Sequence, residues 1–267
     1  MVIIADQFHL QYHMAGGDIF EASNFRGTQQ RPISASTQAD TYALQTVGVN
    51  KMFDSAAGRV YALRDVSFSV KKGEFVSIVG PSGSGKSTLL NMIGALDKPT
   101  SGKVFVNGVD MFSLGDHERA RMRNRLIGFI FQSYNLINRT SVLRNVELPA
   151  TIFGLDRDVR EQRALKLLEI LGIRDKAKFK PTNLSGGQQQ RVAIARSLMN
   201  NPAIILADEP TGNLDTKTGA EVFSLLKMLS RKYRRTIVMV THNPELAAST
   251  DRAIYIRDGR VESEVTH

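Results

Sequence analysis

Gly80-Pro-Ser-Gly-Ser-Gly-Lys-Ser87 has the spacing G-x-x-x-x-G-K-[ST], between an apolar run, Phe75–Val79, and a helical pattern that opens near Lys86. Gly80, Gly83 and Gly85 let the backbone wrap closely round a polyphosphate. Successive N–H groups and the next helix N-terminus then point at the anion. Pro81, Ser82, Ser84 and Thr88 complete this loop and its first helical turn. Lys86 is spaced to reach the β and γ phosphates, and Ser87 to offer its hydroxyl to Mg²⁺.

A second set of residues fits chemistry on that phosphate chain. Ala203-Ile-Ile-Leu-Ala-Asp208 reads as a buried strand ending in an acid, followed at once by Glu209. Ligands of open parallel sheets sit beyond the carboxyl ends of the strands, where Asp208 emerges. There Asp208 can join a Mg²⁺ shell, and Glu209 can orient or deprotonate a water for attack on the γ-phosphate. Alone, such a pair is ordinary polar turn chemistry; beside a phosphate loop it reads as catalytic. His242, just past the apolar run Thr236–Val240, should emerge on the same edge, able to touch the γ-phosphate and order Glu209. Gln132, after Phe129-Ile-Phe131, is a neutral donor and acceptor able to touch both Mg²⁺ and the water. Either of these two by itself would be an ordinary structural or surface residue.

Leu184-Ser-Gly-Gly-Gln188 leads into a helical stretch through Arg196. Small residues ahead of a helix make a second anion site. One chain has one phosphate loop, so a second γ-phosphate site implies a second ATP-bound subunit facing it.

The elements that must carry these residues are legible from period. Val60–Leu63 and Val66–Val70 alternate as half-buried strands. The pattern then predicts a helix from about Lys86 to Leu96, a strand at Val104–Val106 and a turn at Asn107-Gly108. Between Phe112 and Gly172 it is mostly helical, giving a helical subdomain over about 112–183. Helices over 186–199 and 217–231 then alternate with strands over 203–207 and 236–240. Strands alternating with helices imply an α/β domain with a mainly parallel sheet, over 42–267. Residues 1–41 show no sustained period and read as a flexible extension. That stretch holds two arginines against four carboxylates, so the basic character belongs to the folded body.

Composition removes several classes. The chain has 267 residues, 42% of them hydrophobic, yet no stretch approaches the roughly 20 apolar residues of a membrane-spanning helix. Met1-Val-Ile-Ile-Ala5 lacks the basic flank and long apolar region of a secretory signal. The absence of cysteine removes disulfides and thiolate chemistry. A net charge of +9 raises nucleic acid as a partner. The densest run, Arg119, Arg121, Arg123 and Arg125, is spread round a helix without aromatic platforms, so no nucleic-acid partner is expected.

Taken together, Leu184-Ser-Gly-Gly-Gln188, the phosphate loop, Gln132, Asp208-Glu209 and His242 resemble, in order, the motifs of ABC ATPases, over about residues 42–264. The resemblance implies a RecA-like P-loop core with an antiparallel β subdomain and a helical subdomain. It also implies two Mg-ATP sandwiched between the phosphate loop of one copy and the signature of the other. Carried over, Ser185, Gly186, Gly187 and Gln188 form the signature, with Ser185 and Gly187 on the partner copy's γ-phosphate. Asp215 in Gly212-Asn-Leu-Asp215 lies at the dimer seam. Phe53 matches the aromatic that stacks on adenine, with Tyr61 as the less favoured occupant. Leu96–Gly102, Asn145–Pro149, Gln188–Arg196 and Ala207–Asp215 look like the lipoprotein-release and macrolide-exporter branch. That likeness implies a second copy of the chain, an integral membrane permease and, through it, a periplasmic adaptor as partners. It would place the chain at the cytoplasmic face of the membrane. A sister reading is a mechanotransmission ATPase that controls cell-wall hydrolases; an ABC ATPase acting on DNA or ribosomes is the more distant one. The stretch before residue 42 departs from the branch. Tyr134, Leu136 and Ile137, directly after Gln132, are the expected socket for a short permease helix.

Overall fold

The computed structural model describes residues 41–55 and 58–267; residues 1–40 lie outside it, and with them all but the last residue of the expected extension. Two long antiparallel strands open the described chain, β1 (Tyr42–Ser55) and β2 (Gly58–Lys71). The chain then enters β3 (Phe75–Val79), the phosphate loop and α1 (Lys86–Ile93). This helix stops three residues before the expected Leu96, because Gly94 and a left-handed Ala95 (φ 49°) turn the chain out of it. A hairpin follows, β4 (Ser101–Val106) and β5 (Val109–Asp110). Its turn, Asn107 and Gly108 with φ of 48° and 80°, matches the right-handed twist of the strands. These strands form a four-stranded antiparallel sheet in the order β2-β1-β4-β5.

Next come α2 (Asp116–Leu126), β6 (Ile127–Phe131), α3 (Val142–Phe153) and α4 (Arg157–Ile170). The region from Phe112 to Gly172 is thus not helical throughout. Ile127–Phe131 is a core strand paired in parallel with the next strand in the sheet, and it begins with no linker after α2. Gly128 lets the strand lie close against the later helix that carries Ser197, since a Cβ there would stand 2.3 Å from the Ser197 carbonyl oxygen. The chain continues through α5 (Gly186–Leu198), β7 (Ile204–Asp208), α6 (Thr216–Tyr233), β8 (Ile237–Thr241) and α7 (Pro244–Ala248). It ends in an antiparallel pair, β9 (Arg252–Arg257) and β10 (Arg260–Thr266).

The main sheet runs β10-β9-β3-β8-β7-β6, with β9, β3, β8, β7 and β6 parallel. Its inner strands are buried on both faces, which is why they read as near-continuous apolar runs, with only Ser77 interrupting β3. Alternate residues feed two cores. Phe75, Ile205, Ala207, Ile237 and Met239 join the core beneath α3–α6. Val76, Ile78, Leu206, Val238 and Val240 face the core shared with α1 and the antiparallel sheet. No helix among the described residues is long and apolar enough to cross a membrane.

Candidate active site

Because β3, β8, β7 and β6 are parallel and in register (Val79 opposite Thr241, Phe131 opposite Asp208), their carboxyl ends share one edge. That edge carries the phosphate loop, His242, Asp208-Glu209 and Gln132. The four motifs were far apart in sequence; parallel topology brings them together.

Two of the loop glycines, Gly80 and Gly85, are packed too tightly for any side chain, while Gly83 stands in open space and is set by its left-handed φ of 77°. A Cβ on Gly80 would lie 2.1 Å from the Ile256 carbonyl oxygen, and one on Gly85 (φ 102°) 2.5 Å from that of Ala62. The antiparallel sheet, through Ala62 of β2, is therefore seated directly against the loop. Ser84 anchors the other side, its carbonyl accepting from the Gly259 N–H at 3.0 Å, while its buried hydroxyl has no partner. Pro81, Ser82, Gly83 and Ser87 line the exposed rim, and Thr88 is half-buried. The α1 N-terminus has neither a side-chain cap nor an acidic residue in its first turn, so its free N–H groups face the loop. Lys86 is buried, and its ammonium donates to the Gly80 and Pro81 carbonyls at 2.9 and 2.8 Å.

Asp208 ends β7. Burial, and then the charge of Glu209, push its carboxyl above the ordinary carboxylate range, while the Lys86 ammonium pulls it partly back. Glu209 turns out of the strand with φ 43°, held by its N–H to the Val240 carbonyl at 3.0 Å. Its Oε1 lies 3.0 Å from His242 Nδ1, so the expected pairing of these two is present in the geometry. Glu209, Thr211, Gly212, Thr241, His242 and Asn243 line a cavity of about 180 Å³. Gln132 reaches the same place from β6: a Cβ on Gly212 would meet Gln132 Nε2 at 2.7 Å and Glu209 Oε2 at 3.3 Å.

Two polar residues that local pattern did not single out hold this arrangement. Asn213 accepts from Gln132 Nε2 and donates to the Gln132 carbonyl, both at 3.1 Å. Gln190, fully buried on α5, donates to the Pro210 carbonyl directly after Glu209.

The signature residues sit apart from this cluster, at the N-terminus of α5. Ser185 accepts from the Gln188 N–H at 3.3 Å, and Gln188 Oε1 accepts from the Ser185 N–H at 3.0 Å, a reciprocal cap. A Cβ on Gly186 would meet the Tyr134 hydroxyl at 2.8 Å, and one on Gly187 the Thr218 methyl at 2.3 Å. Asp215 caps α6, accepting from the Thr218 N–H at 3.0 Å; the hydrogen bonds from Thr218 hold its carboxyl below its ordinary value. Tyr134 and Asn135 are both left-handed (φ 61° and 49°), and Arg196 of α5 donates to both of their carbonyls. Of the three socket residues, Leu136 packs on the core and Tyr134 is half-buried against Gly186, leaving Ile137 43% exposed. Phe53 lies on β1, 44% exposed, opposite Val60. Tyr61 pairs with the preceding Met52, so the two aromatic rings leave opposite faces of the strand pair.

Residues 63–212 match the family model described as ABC transporter. An uncharacterized ABC transporter ATP-binding protein of Thermotoga maritima is 52% identical over 82% of this chain and 93% of its own length. The macrolide export ATP-binding/permease protein MacB of Salmonella choleraesuis is 47% identical over 83% of this chain but only 34% of its own. Among solved structures, the ATP-binding cassette MJ0796 of Methanocaldococcus jannaschii, in a dimeric post-hydrolysis state bound to ADP and Pi, superposes with a TM-score of 0.76. It is 47% identical and covers 84% of this chain and 98% of its own. With a P-loop α/β fold and both motif sets on one sheet edge, the chain belongs to the ABC transporter family and is an ATP-binding, ATP-hydrolysing domain of that family.

Proposed function

We propose that two copies of the chain close head to tail over two ATP molecules and that hydrolysis drives a separate membrane permease of the lipoprotein-release or macrolide-export kind. The observation that carries the reading is the division of the site. The hydrolytic group gathers on the sheet edge, whereas Ser185–Gln188 stand at another helix end against Tyr134 and Thr218. A signature so placed is suited to a second copy's nucleotide. The MJ0796 cassette is dimeric, and MacB carries its permease in the same chain, which supports both halves of the proposal.

In this reading Gly80–Thr88 wrap the phosphates, and Lys86 exchanges the Gly80 and Pro81 carbonyls for phosphate oxygens. Ser87, Asp208 and Gln132 supply only oxygen donors, the set a hard cation takes, and so fit Mg²⁺. Mg²⁺, when bound, neutralises charge on the β and γ phosphates. Glu209 accepts the proton of the attacking water, and His242 Nδ1 fixes the rotamer of Glu209 from behind. Phe53 stacks on the base. Asp215 faces the dimer seam, and the exposed Ile137 remains the part of the expected socket open to a permease helix. The domain runs over 42–267, with the helical subdomain over about 112–183 and α3 and α4 inside it.

The test is Glu209→Gln with ATP on a sizing column. It should run as a dimer that reverts to monomer when Gly187→Glu is added, with ATP affinity retained. A Glu209→Gln protein that stays monomeric with ATP bound overturns the head-to-tail reading. Co-expression of the chain with a candidate permease should give a complex that Ile137→Asp disrupts.

A further inference from the structure

Lys51, on β1 two residues before Phe53, is not used by any step above. Its side chain is only 12% exposed; its ammonium pairs with Asp97 at 2.7 Å and donates to the Lys98 carbonyl at 2.9 Å. The same ammonium stands 4.9 Å from the centroid of the Phe53 ring. Fixing a long lysine side chain costs conformational entropy. A lysine with three simultaneous contacts is therefore a built support and not a solvated charge.

The support reaches back to the phosphate loop. Asp97 and Lys98 belong to the segment after α1, which starts by folding onto that helix: the Leu96 N–H donates to the Asn91 carbonyl at 2.9 Å. The segment is then fastened to β1 twice. Met52 N–H donates to Thr100 Oγ1 at 3.0 Å, and Thr100 N–H to the Asn50 carbonyl at 2.8 Å. The helix that begins with Lys86 and Ser87 is thus tied, through Asp97 and Lys51, to one face of the Phe53 ring.

We infer that Lys51 is a positioning residue for base recognition, locked by Asp97 against one face of Phe53 so that the ring offers its other face, at a fixed distance from the phosphate loop, to the nucleotide base. The inference rests on the reading that Phe53 stacks on the base. A cation on an aromatic face is held there by the ring quadrupole and draws π density toward itself. The opposite face then suits an electron-rich purine. A ring free to rotate would present that face only part of the time.

Equilibrium titration of Mg-ATP into wild type, Lys51→Met, Phe53→Ala and the double variant separates the two ideas. Lys51→Met keeps the aliphatic stem and loses the charge; it should raise the Kd about three- to tenfold, the range of a partly desolvated cation–π contact, with kcat at saturating ATP unchanged. The double variant should bind no more weakly than Phe53→Ala. Asp97→Asn should reproduce part of the Lys51→Met effect, and Lys51→Arg should restore affinity. If Phe53→Ala binds ATP as wild type does, the stacking reading falls and the inference with it. If Phe53→Ala weakens binding but Lys51→Met only lowers Tm, Lys51 is a structural tie and the inference alone falls. Additive losses in the double variant also overturn it, since Lys51 would then act without Phe53.

Discussion

Asn213 and Gln132 hold each other by two hydrogen bonds of 3.1 Å, one from the Gln132 amide nitrogen and one to its backbone carbonyl. The first fixes the side chain and the second fixes the strand end that carries it. Asn213→Ala should therefore lower kcat about two- to tenfold, as expected for losing hydrogen bonds of ordinary net strength, and leave ATP affinity unchanged. Steady-state turnover set beside equilibrium binding measures this split. A raised Kd with normal kcat would place Asn213 in binding.

Glu209 and Lys86 should separate chemistry from binding. Glu209→Gln should lose about two to four decades of turnover while still binding ATP, the range for a positioned base. Lys86→Ala should bind ATP weakly. His242→Ala should fall between wild type and Glu209→Gln in turnover, since the carboxylate then loses the contact at 3.0 Å. Single-turnover hydrolysis with prebound ATP measures all three.

Asp208 predicts a pH signature. Its carboxyl binds a proton more tightly folded than unfolded, because burial and Glu209 disfavour its charge. Between the ordinary carboxylate pKa and the raised folded value, the folded chain holds more protons than the unfolded one. The contribution of Asp208 to stability therefore falls as pH rises through that window. Asp208→Asn should unfold at a higher temperature than wild type at neutral pH, and the gap should close as pH drops below the ordinary carboxylate range. Thermal melts over that range read it out. A gap that is constant with pH would mean Asp208 is not the group responsible.

Gly187 is held by shape. Alanine normally favours a helix over glycine by about 1 kcal/mol, but here its Cβ would stand 2.3 Å from the Thr218 methyl. Gly187→Ala should destabilise the chain by about 1–3 kcal/mol, the usual cost of overpacking. Thr218→Ser removes that methyl and should restore most of the loss. Denaturant melts of the single and double variants test it.

The candidate site residues were legible because their spacing is local. A phosphate loop needs its glycines and Lys86-Ser87 within eight positions, and Asp208-Glu209 needs only the end of an apolar strand. The inner strands β3, β7 and β8 were legible because burial on both faces leaves a nearly continuous apolar run, interrupted in β3 by Ser77 alone. β6 was missed because it starts directly after the last residue of α2 with no turn between, and its Gly128 serves a contact with Ser197, far along the chain. β9 and β10 carry charges such as Arg252, whose partners Glu74 and Glu264 are known only once the sheet has formed. Asn213 and Gln190 were invisible for the same reason. A polar side chain announces its role through its partner, and theirs lie 81 and 20 residues away.

Glu209 occupies a left-handed backbone position at φ 43°. Such a position costs an L-residue with a side chain about 1–2 kcal/mol relative to glycine. With Glu209 in the role proposed above, selection for a stable fold and selection for turnover pull in opposite directions at this single codon. A descendant freed from the need to hydrolyse ATP would gain stability first by drifting to glycine or asparagine at position 209. Among duplicated copies of this chain, that substitution would mark those that keep the fold and have stopped turning over.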